Sequence, residues 1–173
     1  MIKSKFYLSI ISLLLVVVCS SHTERNLLCV WVKADGKLIV EGESLDLSKL
    51  KDMVKLWVLN PNYEDAYPEK RIIEVQYFGV AEASRVVVSV QCDRETTYGF
   101  YVAVRNEIEK AYNELRDDLA KIKFGVSYNT LPEGKQRAIN RIYPKRISEA
   151  EPNWVRNKDG QLVENRSWYY WCY

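Results

Sequence analysis

RVVVSVQCDRETTYGFYVAVRNEIEKAYNELRDDLAKIKF, residues 85–124, holds the two patterns that decide the fold. Val86 to Gln91 is a β-branched run and reads as a buried strand. Asp93-Arg94-Glu95-Thr96-Thr97 breaks it with polar, turn-forming residues. From Tyr101 onward the apolar positions fall at Val104, Ile108, Ala111, Tyr112, Leu115, Leu119 and Ile122. Three-and-four spacing sustained this far predicts one long amphipathic helix, with Thr97 as its N-cap and Gly125 as its stop. About 27 helical residues span roughly 40 Å. The opposite face mixes Arg105, Glu107, Glu109, Lys110, Glu114, Arg116, Asp117, Asp118 and Lys121, a pattern of both signs that suits solvent.

Upstream, Leu27 to Val32 and Leu38 to Val40 are apolar runs separated by Ala34-Asp35-Gly36-Lys37, a strong hairpin signal. Leu47, Leu50, Val54 and Trp57 or Val58 keep helical spacing, with Asp46 or Ser48 as cap and Asn60-Pro61 as terminator. Residues 60–71 read as a polar loop, and Ile72 to Phe78 as a short strand. Beyond Gly125 a short helix is expected around Gly134 to Ile142, then an extended or irregular segment from Ile147 to Pro152. The chain ends Trp168-Tyr169-Tyr170-Trp171-Cys172-Tyr173, after an Asp159-Gly160 turn. This aromatic tail reads either as a satellite cluster folded back on the domain or as an interfacial or sugar-stacking surface. The expected class is α/β: a small sheet of the Leu27–Val32, Leu38–Val40 and Val86–Gln91 strands with two helices on one face. Residues 1–23 form an N-terminal transmembrane or signal segment, 24–152 the folded domain and 153–173 the tail.

The chain has 173 residues, a net charge of +2, 47% hydrophobic and 28% charged residues, which fits one folded domain with appendages. No basic stripe dense enough for nucleic acid is present. The one histidine, His22, lies near the start, so histidine-based acid–base, triad and metal chemistry have no residues to work with. No nucleophile elbow, phosphate-cradling glycine loop or zinc-protease motif occurs, and no cofactor or metal is expected. The cysteines, Cys19, Cys29, Cys92 and Cys172, lack metal-ligand or redox spacing.

Lys3 and Lys5 precede an apolar run from Phe6 to Cys19, and no formal charge falls between Phe6 and Thr23. Three readings stand: a signal peptide cut near Ser20-Ser21, a membrane anchor, or lipid attachment at Cys19. Each exports the rest of the chain, with the N-terminus left in the cytoplasm. Export permits oxidation, so a Cys29–Cys92 disulfide between sheet strands is one expectation and two unlinked core thiols the other.

The block Val86-Val87-Val88-Ser89-Val90-Gln91-Cys92-Asp93-Arg94, with Thr96-Thr97-Tyr98, Asn106-Glu107 and Ala111-Tyr112-Asn113-Glu114-Leu115-Arg116-Asp117, resembles the ExbD/TolR biopolymer-transport family. Phe124-Gly125, Ile142-Tyr143-Pro144 and Ile147-Ser148-Glu149-Ala150-Glu151-Pro152 resemble a branch with an extended C-terminus. Val40-Glu41-Gly42-Glu43 and Leu50-Lys51-Asp52 extend the likeness, which covers roughly residues 27–152. It implies a single-pass bacterial inner-membrane protein with a dimerising periplasmic α/β domain. Such a protein works beside an ExbB/TolQ-like channel and uses the proton gradient to energise a TonB- or TolA-like protein. The family's proton-coupling aspartate lies within the membrane helix, whereas here Phe6 to Thr23 is free of acid and the first acidic residue is Glu24.

Two functions follow: an accessory subunit of such a transport complex, paired with itself or an ExbD-like paralogue, or a free or lipid-anchored periplasmic binding module without proton coupling. Neither is an enzyme. Asp93, Arg94, Thr97, Tyr98 and Tyr101 are the candidate partner-binding residues, because polar turn residues beside aromatics at a helix start can specify a partner. For Asp93 the simpler alternative is capping of the turn.

Overall fold

The computed structural model describes residues 26–150, together with the backbone of residues 154–156 and 162–164. Residues 1–23 and the Trp168–Tyr173 tail, with the expectations that concern them, lie outside the described residues. Strand β1 (Leu27–Val32) turns at Asp35-Gly36, where Gly36 takes a φ of 79°, into β2 (Leu38–Val40). A second tight turn at Glu41-Gly42, both at positive φ, leads to β3 (Glu43–Leu45). Helix α1 (Leu47–Leu59) follows, then a hairpin of β4 (Arg71–Val75) and β5 (Gly79–Ala83). Next come β6 (Val87–Cys92), α2 (Tyr98–Phe124), a 3-10 turn at Tyr128–Thr130, α3 (Glu133–Ile142) and β7 (Ile147–Ala150). β8 (Trp154–Arg156) and β9 (Leu162–Glu164) pair antiparallel, and the turn expected at Asp159-Gly160 lies outside the described residues.

The main sheet is mixed and five-stranded, in the order β3-β2-β1-β6-β7. It is larger than the expected three strands, and α3 is the short helix expected around Gly134 to Ile142. β1 and β6 are parallel, as are β6 and β7, because helical crossovers intervene between them. Leu28, Val30 and Val32 of β1 and Val88 and Val90 of β6 share one face by strand alternation. They join one core with Leu50, Val54, Trp57 and Val58 of α1 and Val104, Ile108, Ala111, Tyr112 and Leu115 of α2. Burying each large side chain contributes about 1.5–3 kcal/mol, so this shared core dominates the stability of the domain.

Helix α2 outruns the sheet. Beyond Leu115 its buried Ala120 packs with Leu131 and Ile139, beside a cluster of Val75, Ala138 and Ile142 that seats the β4–β5 hairpin on α3. The segment expected as a single strand from Ile72 to Phe78 is thus the first arm and turn of a hairpin, its register running Arg71 opposite Ala83 to Val75 opposite Gly79. The loop after α1 is built on Asn60, a buried left-handed residue at φ 32°. Its amide oxygen accepts the Glu64 N–H at 2.9 Å, and its amide nitrogen donates to the carbonyls of Glu64 and Pro68.

The Cys29–Cys92 disulfide is corrected. Cys92 is a free thiol, and Cys29 is disulfide-bonded elsewhere. In the parallel ladder Cys29 lies opposite Ser89 and Cys92 opposite Val32. That offset of three residues is about 10 Å along the strand and puts the two thiols on opposite faces, beyond the ~7 Å reach of a disulfide.

Candidate functional site

Five residues of the β6–α2 corner stand out in the sequence, and the structure divides them. Asp93 turns inward: its Oδ1 accepts the Trp31 indole N–H at 2.7 Å and its Oδ2 the Ala34 N–H at 3.1 Å. It therefore ties the end of β6 to the β1–β2 turn rather than facing a partner. Lys33 lies over the same indole, 3.9 Å from the ring centroid. The Thr96 hydroxyl donates to the Val32 carbonyl at 3.0 Å, a further tie across the corner. Thr97 occupies the N-cap position in extended conformation, yet its side chain makes no capping bond.

Arg94 and Thr97 are exposed, and Tyr98 is 80% exposed. Tyr101, one turn on, sits 6.3 Å from Tyr98 between ring centroids, and its hydroxyl donates to Glu149 Oε1 at 2.7 Å. The Arg105 guanidinium meets the same carboxylate. Tyr101 is thereby held against β7, while Arg94, Thr97 and Tyr98 form the outward part of the corner.

Burial, and after it the neighbouring Asp93 charge, pushes the Cys92 thiol up, away from a reactive thiolate. Among the described residues no group of three or more His, Cys, Asp or Glu side chains can hold a metal ion. Asp117, expected to be a solvated surface charge, fastens the turn after α2. It pairs with Lys121 at 2.6 Å and accepts the Ser127 hydroxyl at 2.6 Å and the Tyr128 N–H at 2.9 Å, and these partners hold its carboxyl well below the usual range.

A second site was not visible in the sequence. A cleft of about 550 Å³ opens where the base of the β4–β5 hairpin meets the α3–β7 connection. Arg71 and Ile73 come from β4, and Ala83, Ser84 and Arg85 from the end of β5 and the residues after it; Asn140, Arg141, Pro144 and Arg146 close the other side. Its walls are stitched by backbone bonds from Ser84 N–H to the Ile142 carbonyl at 3.0 Å and from Val88 N–H to the Arg146 carbonyl at 2.9 Å. Among the described residues, four guanidinium groups line this cleft and no carboxylate does. Among the described residues, Arg71, Arg141 and Arg146 have no acidic partner, whereas Arg85 has a contact of its own. Four arginines spread over 76 residues of a nearly neutral chain leave no run to notice; only the pairing of Arg141 and Arg146 around Tyr143-Pro144 hints at it.

No protein-family model matches the chain, and no curated protein matches its sequence. Among the described residues no helix is long and apolar enough to cross a membrane.

Proposed function

We propose that the chain is an exported, non-catalytic binding domain that serves as an ExbD/TolR-like accessory subunit of an inner-membrane, proton-gradient-linked transport complex. The observation that carries this reading is where the resembling blocks fall. Val86–Gln91 coincides with β6, Ala111–Asp117 with the buried stretch of α2, Ile142-Tyr143-Pro144 with the end of α3, and Ile147–Ala150 with β7. These elements are neighbours in one fold, so the likeness follows a folded unit rather than scattered matches. Residues 1–23 hold the N-terminus in the cytoplasm and the domain in the periplasm. Their apolar run lacks a carboxylate, so the chain moves no protons itself. Coupling comes from an aspartate-bearing ExbD-like paralogue in a mixed dimer, beside an ExbB/TolQ-like channel and a TonB- or TolA-like protein.

The outward residues Arg94, Thr97 and Tyr98 are the contact surface in this reading. An exposed Tyr supplies large amphipathic contact area and an Arg directional charge, the two types most enriched in interface anchors with Trp. Pull-down of the tagged full-length chain from membranes, repeated with Arg94→Ala and Tyr98→Ala, tests it. Recovery of an ExbB-like or ExbD-like protein, lost in both variants, is the expected result. The missing intramembrane carboxylate favours a second reading, a free or lipid-anchored periplasmic module that has lost coupling. Retention of cell-wall fragments with neither membrane protein recovered selects that one.

A further inference from the structure

We propose that the arginine-lined cleft between the β4–β5 hairpin and the α3–β7 connection is a binding site for a small organic polyanion bearing two or more phosphate or carboxylate groups. The inference stands apart from the transport reading, since it uses neither the β6–α2 corner nor residues 1–23.

The composition of the cleft sets the class. Arg71, Arg141 and Arg146 bring positive charge from three separate segments to one concavity, with no carboxylate among the described lining residues to neutralise it. A guanidinium cannot shed its proton at any accessible pH, so mutual repulsion is not relieved by titration. Charges of one sign focused in a cleft attract a counter-ion strongly, and arginine's planar fork matches carboxylate and phosphate oxygens in pairs. Two arginines outside the cleft behave differently: Arg137 is met by Glu133 at 3.0 Å, and Arg105 by Glu149 and Glu109.

Size and lining sharpen the class further. A volume of about 550 Å³ is larger than one inorganic anion needs and lies within the range of small-molecule sites. Ile73, Ala83 and Pro144 provide an apolar wall, and Ser84 and Asn140 provide neutral polar groups. The Asn140 amide oxygen already accepts the Tyr128 hydroxyl at 2.9 Å, which orients its amide nitrogen as a donor. Every polar side chain in the lining thus either carries positive charge or has a donor to give. The ligand that complements this set has an anionic end for the arginines and an uncharged body for the wall. A nucleic-acid strand is a poorer fit, because the neighbouring Lys70 and Lys145 are met by Glu82 and Glu109 and add no free charge to continue the cleft into a track.

The two sources of the anionic group are separated by using two probes, inorganic pyrophosphate and citrate, titrated calorimetrically into the full-length chain at low ionic strength. Saturable one-to-one binding of at least one probe is expected. Pyrophosphate alone assigns the site to phosphates, citrate alone to carboxylates, and both to charge without head-group selection. Arg71→Ala and Arg141→Ala, both at exposed positions, should each weaken binding about tenfold, the loss of one charge-assisted contact, and raised salt should weaken it further. Arg137→Ala, on the same helix as Arg141 but outside the lining, should leave the affinity unchanged, and unaltered melting curves identify variants that remain folded. Failure of the wild-type chain to bind either probe saturably overturns the proposal. So does equal weakening by Arg137→Ala, which would mark diffuse electrostatic attraction in place of a site.

Discussion

Replacing Asp93 with Ala removes the two side-chain bonds by which it holds β1 and the β1–β2 turn. One is the 2.7 Å bond from the Trp31 indole, in a half-buried setting; the other is the 3.1 Å bond from the Ala34 N–H, in an exposed one. Hydrogen bonds to an ionised acceptor contribute roughly 1.5–3 kcal/mol each in protected sites and less where water competes. Taking the low end for the indole bond and a few tenths for the exposed one gives a loss of about 2 kcal/mol. For a domain of this size that corresponds to a fall in Tm of roughly 4–8 °C. Asp93→Asn keeps an acceptor oxygen but not the charge and should cost about half as much. Urea unfolding followed by tryptophan fluorescence measures both. The neighbouring Arg94→Ala serves as the comparison, since that side chain is exposed. A loss from Asp93→Ala no larger than that from Arg94→Ala would refute the assignment of Asp93 as an internal tie and return it to the partner-facing surface.

Three further outcomes follow from the same structure. Asp117 has its folded-state acidity strengthened below the ordinary value of 3.8, so its stabilisation is complete above that value and is lost as pH falls through the lower folded-state one. The gap in Tm between wild type and Asp117→Asn, measured from pH 7 downward, should hold to about pH 5 and then close; a constant gap would exclude ionisation as its source. Ile108→Ala, at a fully buried position, should cost about 2–5 kcal/mol in equilibrium unfolding, while Ile122→Ala, at 82% exposure on the same helix, should change stability by under about 0.5 kcal/mol. Similar losses would mean that the wrong face of α2 has been assigned to the core. Non-reducing peptide mapping with alkylation should find Cys92 modified and Cys29 in a disulfide-linked peptide, with Cys19 and Cys172 the remaining cysteines to supply its partner; a Cys29–Cys92 peptide would contradict the register of β1 and β6.

What could be read from the sequence was whatever local physics decides. Helix α2 runs Tyr98–Phe124 between the expected Thr97 and Gly125, because a long one-sided apolar stripe and a left-handed glycine leave few alternatives. β1, β2 and α1 were legible for similar reasons: Asp35-Gly36 makes the turn and Asn60 ends the helix in the left-handed region. β3 and β7 were not, since Glu43–Leu45 and Ile147–Ala150 have weak alternation and become strands through the ladders they join. The Ile72–Phe78 segment reads as one strand because the turn's inner left-handed position is Tyr77, at a φ of 72°, and its glycine, Gly79, comes only at the far end. At the site, the surface placement of Arg94 and Tyr98 follows their polarity, but the inward turn of Asp93 depends on Trp31, 62 residues away. The cleft depends on tertiary assembly altogether, since its arginines share no periodicity and meet only when the hairpin docks on α3.

The parallel course of β1, β6 and β7 has a mechanical consequence. Tension applied at Asn26, before β1, and at Ala150, ending β7, pulls the outer two of these three strands in opposite senses along their own axes. Such a load shears the ladders, straining all the bonds of a ladder together, whereas a hairpin pulled from its open end is unzipped one pair at a time. Six residue pairs join β1 to β6 and four join β6 to β7, so the β6–β7 ladder yields first. The resistance is then a rate set by the barrier to breaking that ladder, not by the total stability of the fold. The β4–β5 hairpin pairs with no strand of this sheet, so its own ladder is spared the shear.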